Sequence, residues 1–177
     1  MKLTRSCIQQ NEEKIGLVVN YHLTRLCNYR CRHCYSAWEH PGTQKEIHHN
    51  IGHVCQMLTT RMHDLPKIFG LQRSNKIRLN LVGGEPTLSK NFGLLVQTAV
   101  ALGYDLGMVT NGTKIVDEFV ERFARSVRVI GVSVDGVDPF IMSRIGRANK
   151  NGKVLDLDDL RRKLDRIRQI NSEVQIK

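Results

Sequence analysis

The stretch Ile77–Pro86 reads IRLNLVGGEP: a β-branched and apolar run, then two glycines, an acid and a proline. The run predicts a strand, and Gly83-Gly84-Glu85-Pro86 predicts the turn that closes it. Similar units recur on both sides. IGLVVNYHLT (Ile15–Thr24) leads into a cysteine-rich loop, DLGMVT (Asp105–Thr110) into Asn111-Gly112, and VRVIGVSV (Val127–Val134) into Asp135-Gly136. Helical patterns separate them. One spans Thr43 to about Met62, with Ile47, Ile51, Val54 and Leu58 at helical spacing, and Leu65-Pro66 then opens a connection to Asn75. A second starts at Ser89 as its cap and runs to about Leu102, where Gly103 stops it. A third spans Thr113 to Arg125. Leu157, Leu160, Leu164, Ile167 and Ile170 mark one face of a fourth long helix, and Val174 and Ile176 begin a fifth strand.

This alternation predicts an α/β fold with a parallel sheet and right-handed crossovers, about four and a half βα units of a partial barrel. Residues 1–14 are polar and patternless and read as a tail; residues 15–177 read as one domain. A strand begun at the last residues suits the N-terminal portion of a longer barrel. The cysteine loop and the three turns all follow strand C-termini. In a parallel α/β sheet those ends converge on one rim, where active sites are built.

The chain has 177 residues, 41% hydrophobic and 25% charged, with a net charge of +10. The basic surplus favours an anionic partner over a neutral one. No apolar window is long enough to span a membrane, and the N-terminus lacks the apolar stretch of a secretory signal. A cytoplasmic protein is expected.

Cys27, Cys31 and Cys34 are spaced C-x3-C-x2-C. Three thiolates can ligate three irons of a cubane cluster and leave the fourth open to a small molecule, whereas electron-transfer clusters take four. The alternatives are a plain electron-transfer cluster or a zinc site completed by His33, Cys7 or Cys55. Structural zinc sites pair two short ligand hooks, and the sequence contains no second hook. His49 and His53 are four residues apart on a helical pattern without a third ligand, which reads as a surface. Gly83 and Gly84 would let a ligand approach the backbone, Glu85 could hold a cationic amine, and Arg147 could clamp a carboxylate or phosphate.

The three-cysteine motif followed by Gly-Gly-Glu-Pro resembles the radical S-adenosylmethionine superfamily. More narrowly the chain is similar to the viperin family, through Asn20-Tyr21-His22, Cys27-Asn28-Tyr29-Arg30-Cys31, Cys34-Tyr35, Asn80, Thr110-Asn111-Gly112, Ser133-Val134-Asp135 and Ile145-Gly146-Arg147. The resemblance covers about residues 15 to 177. It implies that Cys27, Cys31 and Cys34 ligate a [4Fe-4S] cluster whose open iron binds S-adenosylmethionine. Tyr35 and the turn Gly83, Gly84, Glu85 and Pro86 would hold the cofactor's adenine and methionyl amine. Ser133 and Arg147 would grip its carboxylate, and Thr110 and Asn111 would line its pocket. Asn20, His22, Arg78, Asn80 and Lys177 match positions expected to face a ribonucleoside triphosphate.

The implied reaction takes hydrogen from the 4′ carbon and expels the 3′ hydroxyl as water, giving a 3′-deoxy-3′,4′-didehydro nucleotide for antiviral defence. An external one-electron donor such as a flavodoxin or ferredoxin is required, and neither membrane nor nucleic acid is expected as a partner. Val82 stands where the family has a serine before Gly-Gly-Glu-Pro, and family members continue beyond the point that matches Lys177. Two other readings compete. One is a short radical activase acting on a partner protein, against which Asn20, His22 and Ile145-Gly146-Arg147 argue. The other is a non-catalytic module that binds a cluster or zinc.

Overall fold

The computed structural model describes residues 15–35, 50–71 and 76–177. Five strands form a single sheet in chain order: β1 (Ile15–Thr24), β2 (Lys76–Gly83), β3 (Asp105–Thr110), β4 (Val129–Val132) and β5 (Gln175–Ile176). Every neighbouring pair is parallel. Strands added always on the same side by right-handed crossovers put all the helices on one face, the winding of a barrel wall.

Burial follows from that winding. Leu23, Leu79, Leu81, Leu106, Met108 and Ile130 point from the sheet into one apolar cluster. Against them pack Val54, Leu58 and Met62 of α1 (Ile51–Ile68) and Leu95, Val96 and Ala99 of α2 (Phe92–Ala101). Phe119 and Val120 of α3 (Asp117–Phe123) and Leu160 and Ile167 of α5 (Leu157–Ile170) complete the cluster. The other sheet face stays open: Val18, Asn20 and His22 alternate along β1 as exposed residues, and Val109 is exposed on β3. In a barrel this face is the lumen.

Several boundaries differ from the sequence expectation. The helix expected from Thr43 is present as α1, capped by Asn50, whose side chain accepts from the His53 N–H, and Thr43–His49 lie outside the described residues. It continues through Pro66 to Ile68, where a connection was expected. Packing of Leu65 against the core carries it past the proline, whose missing N–H removes one helical hydrogen bond. Ser89 does not cap α2. Pro86 starts a 3-10 turn (Pro86–Leu88), and the helix begins after Asn91, whose N–H donates to the Ser89 hydroxyl. The third helix starts only at Asp117, because the Thr113 side chain is bound within the preceding turn. A short α4 (Pro139–Arg144) was not anticipated, although Asp138 caps it and Pro139 occupies its first turn.

Candidate active site

The cysteine loop leaves β1 at Thr24, a fully buried residue whose hydroxyl accepts from the Leu26 N–H at 3.0 Å. Two other segments hold the loop by their backbones. Gly84 N–H donates to the Thr24 carbonyl (2.9 Å) and Glu85 N–H to the Leu26 carbonyl (2.7 Å). A Cβ on Gly83 would lie 2.5 Å from the Thr24 carbonyl oxygen, and one on Gly84 only 2.2 Å from that of Leu26. The two glycines therefore admit the chain's own cysteine loop, and both also line the cleft beside it. On the other side, Arg30 N–H donates to the Gly146 carbonyl (3.0 Å) and Arg32 N–H to that of Ile145 (2.9 Å).

Glu85, expected to hold a cationic amine, is engaged within the chain. Its carboxylate is fully buried and accepts from Thr87 N–H (3.2 Å), the Thr110 hydroxyl (2.9 Å) and Asn111 N–H (2.7 Å). Burial pushes its pKa up from the ordinary glutamate value, and these donors work against that rise. Saturated from within the chain, Glu85 ties the β2 turn to the β3 turn instead of presenting a free carboxylate to an amine.

Cys27, Cys31 and Cys34 open onto one cleft of about 420 Å3, a size suited to a small molecule. All three are half-buried and outside any disulfide. Burial raises the Cys27 and Cys31 thiols, opposed at Cys27 chiefly by the Tyr29 N–H and at Cys31 by the Arg147 guanidinium. Among the described residues no three His, Cys, Asp or Glu side chains converge on a single ion. Three half-buried thiols on one cleft can offer a cubane cluster one thiolate per iron.

Gly83, Gly84, Thr110, Asn111, Ser133 and Arg147 line the same cleft. Arg147 is 6% exposed; its Nε contacts the Asp135 carboxylate, which His33 Nε2 also approaches at 3.3 Å. Tyr35 is 79% exposed, with its ring edge-on to His22 at 6.4 Å, and both reach the cleft.

The residues expected to face a nucleotide divide. Asn20 lines the cleft, and Asn80 Nδ2 donates to its Oδ1 at 3.0 Å. Opposite on β3, Gly107 makes room: a Cβ there would lie 2.1 Å from Asn80 Oδ1. Arg78 sits one step down the strand, paired with Asp105 and outside the cleft lining. Pro86 also lies outside it, as the start of the 3-10 turn. Lys177 bonds through its backbone to Ile130 and Val132 of β4, with an exposed side chain outside the cleft lining. Sequence reasoning gave no role to Thr113, or to Asn28 and Tyr29 beyond their place in the motif. Tyr29 is buried on the cleft wall. The spacing of Asn28 between two cysteines, and of Thr113 after Asn-Gly, was the available signal.

A profile of the Radical SAM superfamily matches residues 21–174. The chain belongs to the radical SAM superfamily. Membership makes it an enzyme class built on a [4Fe-4S] cluster and S-adenosylmethionine. The chain is 35% identical over 175 residues to an S-adenosylmethionine-dependent nucleotide dehydratase of Psychrobacter lutiphocae, a match covering 94% of this chain and 57% of that protein. It is 32% identical over 166 residues to another of that name from Fibrobacter sp., covering 91% and 46%. The chain thus spans about half the length of these curated relatives. The Streptococcus suis SuiB crystal structure, bound to precursor peptide SuiA, superposes with a TM-score of 0.52 over 73% of this chain and 26% of that one, at 18% identity, which supports the shared fold. Among the described residues no helix is long and apolar enough to cross a membrane.

Proposed function

We propose that the chain carries the cofactor half of a viperin-like dehydratase acting on a ribonucleoside triphosphate. The reading is carried by one observation: Asn20 and His22 of the luminal face open onto the same cleft as the three thiols. The nucleotide dehydratases among its relatives support the same substrate class.

In this reading Cys27, Cys31 and Cys34 hold the cluster, and Arg147 and Ser133 receive the carboxylate of S-adenosylmethionine. The bound pair supplies hydrogen-atom abstraction at the 4′ carbon. Asn20 and Asn80 offer amide donors and acceptors to the sugar, and His22 stands between them and Tyr35 at the cleft mouth. Overall, nucleotide, S-adenosylmethionine, two electrons and a proton give didehydro nucleotide, water, methionine and 5′-deoxyadenosine. A flavodoxin or ferredoxin type of donor supplies the electrons, and the product terminates viral polymerase chains. Arg78, neutralised by Asp105, takes no part in phosphate binding.

The test is anaerobic reconstitution, then incubation with dithionite, S-adenosylmethionine and each ribonucleoside triphosphate separately, read by mass spectrometry. A dehydrated nucleotide formed together with 5′-deoxyadenosine is expected. Cofactor cleavage that no nucleotide alters would overturn the substrate, leaving the activase reading.

A further inference from the structure

Beside Cys27 three polar side chains close a ring. Asn28 Nδ2 donates to Thr113 Oγ1 (2.9 Å), Thr113 Oγ1 donates to Asn111 Oδ1 (2.7 Å), and Asn111 Nδ2 donates back to Asn28 Oδ1 (2.8 Å). Every bond runs in the same sense around the ring, so each polarises the next. The ring joins residues 83 to 85 positions apart in the chain, one from the cysteine loop and two from the β3 turn.

The Asn111 carboxamide is held both by the ring and by the Thr113 backbone. Thr113 N–H donates to Asn111 Oδ1 at 3.0 Å, so that atom must be the carbonyl oxygen and the other the amide nitrogen. The backbone N–H of Asn111 is itself held by buried Glu85. The Asn111 amide has two hydrogens. One serves Asn28; the nitrogen also lies 3.9 Å from Cys27 Sγ, on which the Tyr29 N–H converges at 3.5 Å. A flipped carboxamide would aim an oxygen at that sulfur and repel a thiolate. The ring and the Thr113 N–H together exclude the flip.

Hydrogen bonds to ligand sulfurs, and the groups that orient them, set the potentials of iron–sulfur clusters. We propose that Asn28 and Thr113 are positioning residues that hold the Asn111 amide with an N–H toward Cys27 Sγ, and so raise the reduction potential of the cluster that Cys27 ligates. An N–H donor stabilises the more electron-rich sulfur of the reduced cluster, which fixes the sign. The inference rests on the superfamily's cluster and is independent of the nucleotide reading.

The experiment is an EPR-monitored potentiometric titration of the reconstituted chain, without nucleotide or turnover. Thr113→Val keeps the side-chain shape and removes the hydroxyl; Thr113→Ser keeps the hydroxyl. The valine variant is expected to shift the reduction equilibrium at least threefold toward the oxidised cluster, about 28 mV at 59 mV per decade. Serine is expected to restore the potential, and Asn28→Ala, which leaves the β3 turn intact, to reproduce the valine shift. An unchanged potential in valine and alanine variants with full iron content would overturn the proposal. So would an equal shift in the serine variant, or loss of the cluster from both folded variants, because ligation would then depend on the ring. Should the valine variant fail to fold, the alanine variant decides alone.

Discussion

Gly146 and Arg30 meet backbone to backbone: the Arg30 N–H donates to the Gly146 carbonyl at 3.0 Å, while a Cβ on Gly146 would lie 1.9 Å from the Arg30 carbonyl oxygen. Gly146 also has φ +84, which L side chains rarely adopt. The Ile145-Gly146-Arg147 motif is thus a brace for the cysteine loop as well as the source of a buried arginine.

Gly146→Ala should destabilise the chain by on the order of 3 kcal/mol, combining a positive φ with a backbone overlap. Iron content after anaerobic reconstitution should fall with it. Gly103→Ala is the control, since φ is +79 there and nothing lies within 4 Å of its Cβ; it should cost about 1 kcal/mol and leave iron content intact. Urea midpoints and iron-to-protein ratios of the two variants check both statements.

Cys31→Ala and Arg147→Ala should separate cluster from cofactor. The first should abolish the cluster's charge-transfer absorption and all cleavage of S-adenosylmethionine. The second should keep the absorption and weaken S-adenosylmethionine binding by roughly tenfold or more, the loss of a charge-assisted carboxylate contact. Visible absorption and calorimetric titration read the two effects, and an unchanged affinity in the arginine variant would remove its clamp role.

Glu85 gives the stability a pH dependence of stated sign. Its folded pKa lies above the ordinary value, so between those two values the native state binds more protons than the unfolded chain. This group's contribution therefore falls as pH rises through that interval and levels off above it. Glu85→Gln should remove the slope while costing about 1–3 kcal/mol, because its amide nitrogen cannot accept from the surrounding donors. Urea denaturation across the acidic range, compared between the two proteins, provides the check.

Gly107→Ala should drive Asn80 away from Asn20, since the new Cβ would overlap Asn80 Oδ1. Nucleoside triphosphate affinity should drop about fivefold, equivalent to losing one hydrogen bond of about 1 kcal/mol. S-adenosylmethionine affinity should stay as it was. A parallel loss of both would assign the Asn20–Asn80 pair to the cofactor.

What was legible in the sequence was local. Alternating Ile77, Leu79 and Leu81, the β-branched run from Ile15 and the turn glycines marked the strands, and the shared rim followed from parallel topology. Cys27, Cys31 and Cys34 announced themselves by spacing alone. What the sequence did not show are contacts made across the fold. Gly83 and Gly84 line the cleft, but their close approach to Thr24 and Leu26, some sixty residues earlier, was not visible in the sequence. Arg78 matched a position expected to face the triphosphate, and its pairing with Asp105 needed the register to be seen. Asn28 and Thr113 carry no periodic signal, because their meaning lies in a ring closed between β1 and β3. The end of α1 was misjudged because a single proline outweighed the apolar stripe that continues to Leu65.

The brace at Gly146 has a consequence for biogenesis. During synthesis the three thiols leave the ribosome more than a hundred residues before the glycine that steadies their loop. At ~5–20 residues per second the interval is roughly 5 to 20 seconds. Through that time the thiols are open to oxidation and to adventitious metals. Faithful cluster insertion belongs after the fourth strand is laid down, so in vitro loading should favour the refolded chain over a denatured one.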